Sequence, residues 1–334
     1  MKRPFKKNVA KRFSKYNQYV WNSCVYSSRY GDVTHSFEQV FAELMGVNFA
    51  VAVNSGTSAL HVALLASGIG RGDEVIVPAL GPTMTAQAVV LAGATPVFAD
   101  IEMEKQERQR RVPQLTTVFS TENTFKMEAV GVGNNKGGHA VIPVHLFGTD
   151  AFIKSSLPTI EDCCQMIDPD LGLRGDIACY SFEQSKQICC GDGGMAITND
   201  PKLAKKMRQF SDGGVSCVTA SDGRWKGKAE FEQTGYNYRM PELTAALGLA
   251  QIDDFPDRMW EVQHRPMDAA HFEKKLIDFG VEFKRGPWDK LVYEWPIFGS
   301  QKGLCPVAER IHPDLFVWPV SEMKKVEKVE SYIA

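Results

Sequence analysis

Between Phe49 and Thr198, short apolar segments rich in β-branched residues recur, separated by helical or loop-like stretches. They are Phe49–Val53, Glu74–Val77, Pro96–Ile101, Ala140–Leu146, Pro158–Glu161, Asp176–Phe182 and Gly194–Thr198. Strands that are apolar throughout are buried on both faces, and alternation with helices is how a parallel sheet acquires that cover. The reading is therefore an α/β chain whose largely parallel sheet carries helices on both faces. Ser36–Met45 has apolar residues at helical spacing, with Gly46 as its stop. Pro201–Phe210 also reads as helix, and Pro241–Phe255 starts a helix with proline in its first turn.

Residues 1–30 are basic and aromatic with little periodicity and read as an N-terminal arm. Residues 31–254 then form a large domain, and residues 255–334 a smaller α+β one. The smaller part contains an amphipathic helix near Met267–Phe279, short strands and a charged helix at Ser321–Ala334. The run Lys105–Arg111 reads as a solvated loop or helix face. A chain of 334 residues with 44% apolar and 23% charged content can bury a core of this size. Its net charge of −2 offers no field to recruit nucleic acid or a membrane surface. No apolar run approaches spanning length, and no apolar stretch follows the basic start. The eight cysteines lack ligand spacing, so no metal is expected and a reducing cytoplasm fits.

The chemistry gathers at strand ends. Lys186 follows the strand Asp176–Phe182 and precedes the turn Gly191–Gly194. Asp162 ends the strand before it. A lysine and a carboxylate on neighbouring strand ends are what a pyridoxal phosphate enzyme needs: an amine for the Schiff base, and an anion that keeps the ring nitrogen protonated. The turn Asn54–Ser58 enters a helix and offers N–H groups and a favourable dipole to a phosphate. Each signal has an ordinary reading when taken alone: a surface lysine, a turn aspartate, a helix cap. Together they lie where open α/β sheets bind ligands. The doublets Cys163-Cys164 and Cys189-Cys190 read as redox centres or, more simply, as small buried residues. His145 either lines the site or is structural.

Seven ordered blocks resemble the DegT/StrS family of sugar aminotransferases. They are NSGTSALHVALLASGIGRGDEVIVPA, AGATPVFADIE, IPVHLFG, TIEDCCQ, GDIACYSFEQSKQ, GDGGMAITND and GYNYRMPELTAALGLAQ, with a weaker match at Pro306–Glu309. The resemblance implies fold type I: a mostly parallel seven-stranded sheet, a small C-terminal domain, and a homodimer with shared active sites. It implies that Lys186 binds pyridoxal 5′-phosphate and moves the proton, and that Asp162 pairs with the pyridinium nitrogen. Gln165 then partners the phenolic oxygen. Gly56, Thr57, Ser58 and Ser181 hold the phosphate, joined by Asn237 from the other subunit. The role of Arg239 in the same block stays open.

Three departures stand out. Pro82 occupies the position of a ring-stacking aromatic, leaving Pro82 or Met84 to cover the ring. The links at 149–157 and 166–175 are abbreviated. The resemblance implies transfer of an amino group from glutamate or glutamine to a keto-sugar, with a nucleotide-linked one expected. A ketocyclitol aminotransferase and a non-catalytic binding relic are the alternatives. Dehydrating relatives are further away, since they carry histidine at the position of Lys186.

Overall fold

The computed structural model describes residues 7–107, 121–127, 138–172, 174–216, 230–256, 260–264, 269–299 and 302–333. In chain order, α1 (Lys7–Ser23) and α2 (Val33–Met45) precede β1 (Phe49–Val53) and α3 (Gly56–Ala66). Next come β2 (Glu74–Pro78), α4 (Thr83–Leu91), β3 (Thr95–Ala99), β4 (Ile101–Glu107) and β5 (Thr121–Met127). Then follow β6 (Ala140–Val141), β7 (Ile160–Asp162), β8 (Ile177–Ser181), β9 (Gly194–Thr198) and α5 (Pro201–Ser211). A two-stranded ribbon, β10 (Val215–Ser216) and β11 (Glu230–Phe231), leads to α6 (Glu242–Gln251). The C-terminal elements are β12 (Trp260–His264), α7 (Ala269–Asp278), β13 (Lys284–Arg285), α8 (Pro306–Ile311), β14 (Leu315–Pro319) and α9 (Met323–Ile333).

All seven expected strands pair. Four lie in the order β1-β9-β8-β7 and three in the order β3-β2-β6. Parallel bridges Val141–Thr159 and Val144–Asp162 join β6 to β7, giving one sheet, β3-β2-β6-β7-β8-β9-β1. Only β9 runs against its neighbours. The mostly parallel seven-stranded sheet of fold type I is therefore present.

Side chains alternate across the pleat. Val51, Val53, Ile177, Cys179 and Ala196 pack with α3, α4 and Met207 of α5. Ala50, Ala52, Ala178, Tyr180, Met195 and Ile197 pack with α2 and α6 on the other face. Gly46 ends α2 in the left-handed conformation at φ 65°, where a Cβ would be strained.

Two stretches differ from the sequence reading. Residues 7–23 of the expected arm are helical; Phe13, Tyr16 and Val20 of α1 pack into the cluster with α6, and Val9 is buried. Residues 105–107 of the basic run are not loop or helix but strand, paired antiparallel in β4–β5; residues 108–111 lie outside the described residues. The C-terminal strands form a separate sheet, β12-β14-β13, with its own apolar cluster of Phe272, Leu276, Phe316, Trp318 and Val326.

Candidate active site

The carboxyl ends of β7 and β8, the start of the reversed β9, and the first turn of α3 meet at one rim of the sheet. Ser55 caps α3: its Oγ accepts the Ser58 N–H at 3.1 Å. The Ser58 hydroxyl lies 2.8 Å from Ser55 Oγ and donates to Asn54 Oδ1 at 2.6 Å. The N–H groups of Gly56 and Thr57, at the start of the helix, have no acceptor within it. An anion placed there gains from both these donors and the helix dipole. A Cβ on Gly56 would lie 2.8 Å from both Cys164 Sγ and Ser181 Cβ. One on Gly194 would lie 2.3 Å from the Ser55 carbonyl oxygen. Glycine at these two positions lets three chain segments close around the turn.

Asp162, at the end of β7, is 1% exposed. Its Oδ2 accepts from the Thr85 hydroxyl at 2.7 Å and its Oδ1 from the Cys164 N–H at 3.0 Å. Thr85 lies in the first turn of α4, behind the N-cap Pro82, and escapes the sequence reading. Its signal there is slight: a hydroxyl residue just after an apolar strand. Pro82 is half-buried and Met84 is 43% exposed. Burial, reinforced by the charge of Asp162, pushes the Cys164 thiol well up, against the opposing influence of Lys186. Cys163 and Cys179 are raised well up mainly by burial, and Cys190 is raised by the same cause. Burial disfavours the thiolate in all four; Cys163, Cys179 and Cys190 are small buried residues, and Cys164 is half-buried.

Lys186 sits in the connection between β8 and β9. That connection is closed by Phe182 N–H to Gly193 O at 2.9 Å and Cys190 N–H to Phe182 O at 2.8 Å. The neighbouring Gln187 side chain accepts from Ile167 N–H and donates to Pro256 O at 2.6 Å. Gln251 of α6 clamps both the N–H and the C=O of Cys189. The half-buried Lys186 lines a cleft of about 240 Å³ with Gln165, Phe147, Lys284 and Trp288. Gln165 Oε1 accepts the Phe147 N–H at 3.3 Å, which leaves its amide nitrogen as the end available to a ligand.

Gly56, Thr57, Ser58, Ser181, Asp162, Gln165 and Lys186 thus occupy one rim. Asn237 does not line the Lys186 cleft of its own chain. It is exposed and bridges to Asp212, on a segment that runs antiparallel past the end of β1. Arg239 is tied to Asp212 at 2.6 Å, and Arg29 pairs with the same carboxylate. His145 is structural: fully buried, its Nε2 lies 2.8 Å from Glu161 Oε2, and its Nδ1 accepts the Ala151 N–H at 3.2 Å. Burial works against the Glu161 charge. The bond from His145 and those from the Gly175 and Arg174 N–H groups outweigh it and hold the carboxyl below its ordinary range. The two short links lean on each other through Asp150 and Arg174, paired at 2.5 Å. Among the described residues, no cluster of histidine, cysteine and carboxylate side chains could hold a metal ion. No helix among them is long and apolar enough to cross a membrane.

The sequence pattern of the DegT/DnrJ/EryC1/StrS aminotransferase family matches residues 8–297, and the chain belongs to that family. A GDP-perosamine synthase of Caulobacter vibrioides is 35% identical over 257 residues. The match covers 73% of this chain and 62% of that relative. An aminotransferase from Psychrobacter cryohalolentis superposes with a TM-score of 0.75 at 24% identity, covering 99% of this chain and 97% of its own. The ntda protein of Bacillus subtilis, solved with the cofactor PMP bound, superposes at 0.71 with 22% identity, covering 98% and 82%. These two structures share the fold.

Proposed function

We propose that this protein is a pyridoxal 5′-phosphate-dependent aminotransferase that moves an amino group from glutamate or glutamine to a nucleotide-linked keto-sugar. The observation that carries the reading is the meeting, at one rim, of a half-buried lysine, a buried hydrogen-bonded aspartate and a helix N-terminus closed by Gly56 against Ser181. The donor set fits the cofactor: N–H groups for its phosphate, a carboxylate for its ring nitrogen, an amide for its phenolic oxygen and an amine for its aldehyde. Family membership supports amino transfer, and the GDP-perosamine synthase supports a sugar nucleotide as substrate.

When bound, the cofactor supplies a carbonyl that captures a primary amine and a ring that accepts an electron pair. Asp162 holds the proton on the ring nitrogen, and Thr85 and the Cys164 N–H fix the orientation of its carboxylate. Gly56, Thr57, Ser58 and Ser181 bind the phosphate. Gln165 would orient the ring edge, with Pro82 or Met84 as its apolar cover. Lys186 would hold the cofactor through Nζ, and the same amine would carry the proton to and from the reacting carbon.

The chain works as a homodimer in which exposed Asn237 reaches the phosphate site of the other copy. Its parts are an arm (1–30), a large domain (31–254) and a small domain (255–334). The free cysteines among the described residues favour the cytoplasm.

Purified protein should show a visible cofactor band that borohydride abolishes, with the label recovered on Lys186. Amino transfer from labelled glutamate to a panel of keto-sugars and ketocyclitols then identifies the acceptor class. Lys186→Ala should lose nearly all turnover while still binding pyridoxamine phosphate, and full activity in that variant would refute the assignment.

A further inference from the structure

We propose that two buried glutamines, Gln187 and Gln251, position the Lys186 amine for proton transfer. They fasten the chain at the residues one and three places beyond Lys186, and so fix the amine relative to the Asp162 carboxylate. The proposal rests on the aminotransferase reading above and adds two positioning residues to it.

Residues 183–193, between β8 and β9, contain neither helix nor strand. The first part is closed locally: the Lys186 N–H donates to Glu183 O at 2.9 Å, and the Ser185 N–H to Glu183 Oε2 at 2.9 Å. Beyond Lys186, side chains and backbone from far along the chain take over. Gln251, at the end of α6, accepts the Cys189 N–H at 3.1 Å and donates to the Cys189 carbonyl at 2.8 Å. One amide thus pairs with one residue as an adjoining strand would. Its nitrogen also donates to Leu247 O at 2.7 Å, which ties the side chain to its own helix. Gln187 has other anchors. Its Oε1 accepts the Ile167 N–H, and its Nε2 donates to Pro256 O at 2.6 Å. Ile167 lies two residues past Gln165, on the turn that leaves Asp162. The segment with the amine is therefore bonded directly to the segment with the carboxylate.

Both glutamines are 4% exposed. Burying an amide carries a desolvation cost that an apolar side chain of equal size avoids, and hydrogen bonds offset it only where they are made. Two such amides beside one lysine, both bonded to backbone, point to positioning. A lysine stem has four carbons and many rotamers, so Nζ keeps its place only if the backbone beneath it is fixed. A misplacement of about 1 Å can cost roughly 100-fold in rate.

To test this, protein loaded with pyridoxal phosphate is mixed with L-glutamate or L-glutamine, each with hydrogen or deuterium at Cα. Conversion of the cofactor band is followed in a single turnover. Gln187→Met and Gln251→Met fill the same space without the amide. Each should slow conversion at saturating amino acid about tenfold or more and enlarge the isotope effect. The half-saturating amino acid concentration should change less than about threefold, as should the affinity for pyridoxamine phosphate, which forms no bond to the lysine. Gln187→Asn and Gln251→Asn, one methylene short, should show the same split and carry the test if a methionine variant does not fold. Gln187→Glu and Gln251→Glu keep the accepting oxygen and should recover part of the rate. Without cofactor, amide hydrogen exchange should quicken at Ile167 in Gln187→Met and at Cys189 in Gln251→Met, a readout independent of turnover. Gly46→Ala, strained at φ 65° at the end of α2, is the control: it should lower the melting temperature and leave the rate unchanged. Rates within about twofold of wild type in both methionine variants, a fall shared by Gly46→Ala, or an equal fall in pyridoxamine phosphate affinity would overturn the proposal while the aminotransferase reading stands. A wild-type protein that loads no cofactor, or whose band neither amino acid converts, would overturn that reading and the proposal with it.

Discussion

The Asp162 carboxylate accepts from the Thr85 hydroxyl, which comes from 77 residues away in sequence. Thr85→Val keeps the shape and removes that donor. A buried acceptor left short of a partner costs about 1–3 kcal/mol. Cofactor affinity, read by titrating the visible band, should therefore fall roughly tenfold, while Thr85→Ser should stay near wild type. Gly56→Ala is a harsher change, because the new methyl would meet the Ser181 Cβ at 2.8 Å, and that atom is fixed to its strand. We expect this variant to lose phosphate binding, measured as weaker competition by inorganic phosphate during cofactor loading. Lys186 and Asp162 are legible in the sequence because both close local apolar runs. Thr85 is not, because its role exists only once α4 packs beside β7.

The helix α2 has no side-chain hydrogen bond from its own N-cap, Asp32. Glu242, from the first turn of α6, fills that place by accepting the N–H groups of Val33 at 2.8 Å and Thr34 at 3.1 Å. The carboxylate is 1% exposed, and Gly31 makes room for it, since a Cβ there would sit 2.2 Å from Glu242 Cδ. Glu242→Ala should lower unfolding stability by about 2 kcal/mol, as loss of a cap does at the upper end of its range. Denaturant melts would show this as a lower midpoint. At the sheet edge, Glu38 accepts the Ala52 N–H at 2.8 Å and pairs with Arg208, which donates to Ala50 O, so β1 presents a covered edge. The strands themselves are legible from their composition, and α2 and α6 from apolar spacing and a glycine or proline at an end. The hairpin β4–β5 escapes because its sequence (IEMEKQE in β4) is mostly polar. In α1 the spacing Val9, Phe13, Tyr16, Val20 is a helical signal that the surrounding basic residues obscure.

Across the whole molecule, Asp100 fastens the C-terminal part to the main sheet. It follows β3, and its carboxylate accepts the N–H groups of Val307 and Ala308 at the start of α8, at 2.8 and 2.9 Å. Asp100→Ala should loosen this attachment, so we expect earlier proteolysis within the C-terminal part. Acid should destabilise the fold as a unit. Asp150 is held at about 2: burial opposes its charge, and the Arg174 bond outweighs it. Glu38, opposite Arg208, and Glu161, beside His145, are also depressed despite burial. Each carboxylate adds stability that is present above its ordinary pKa of about 4 and is lost as pH falls through its native value. Melting temperature should therefore drop between roughly pH 5 and 2. Asp150→Asn should flatten part of that slope in thermal scans taken at stepped pH.

The reversed direction of β9 makes the Lys186 segment a return at one end of the sheet, whereas the connections into β7 and β8 must travel the sheet's full height. Adding or deleting a residue in that return would displace the amine directly, with no helix or crossover to absorb the change. The tolerance to indels should be lopsided: residues 149–157 and 166–175 accept length changes, and residues 183–193 accept almost none. A deletion scan scored by cofactor retention would trace that asymmetry along the chain.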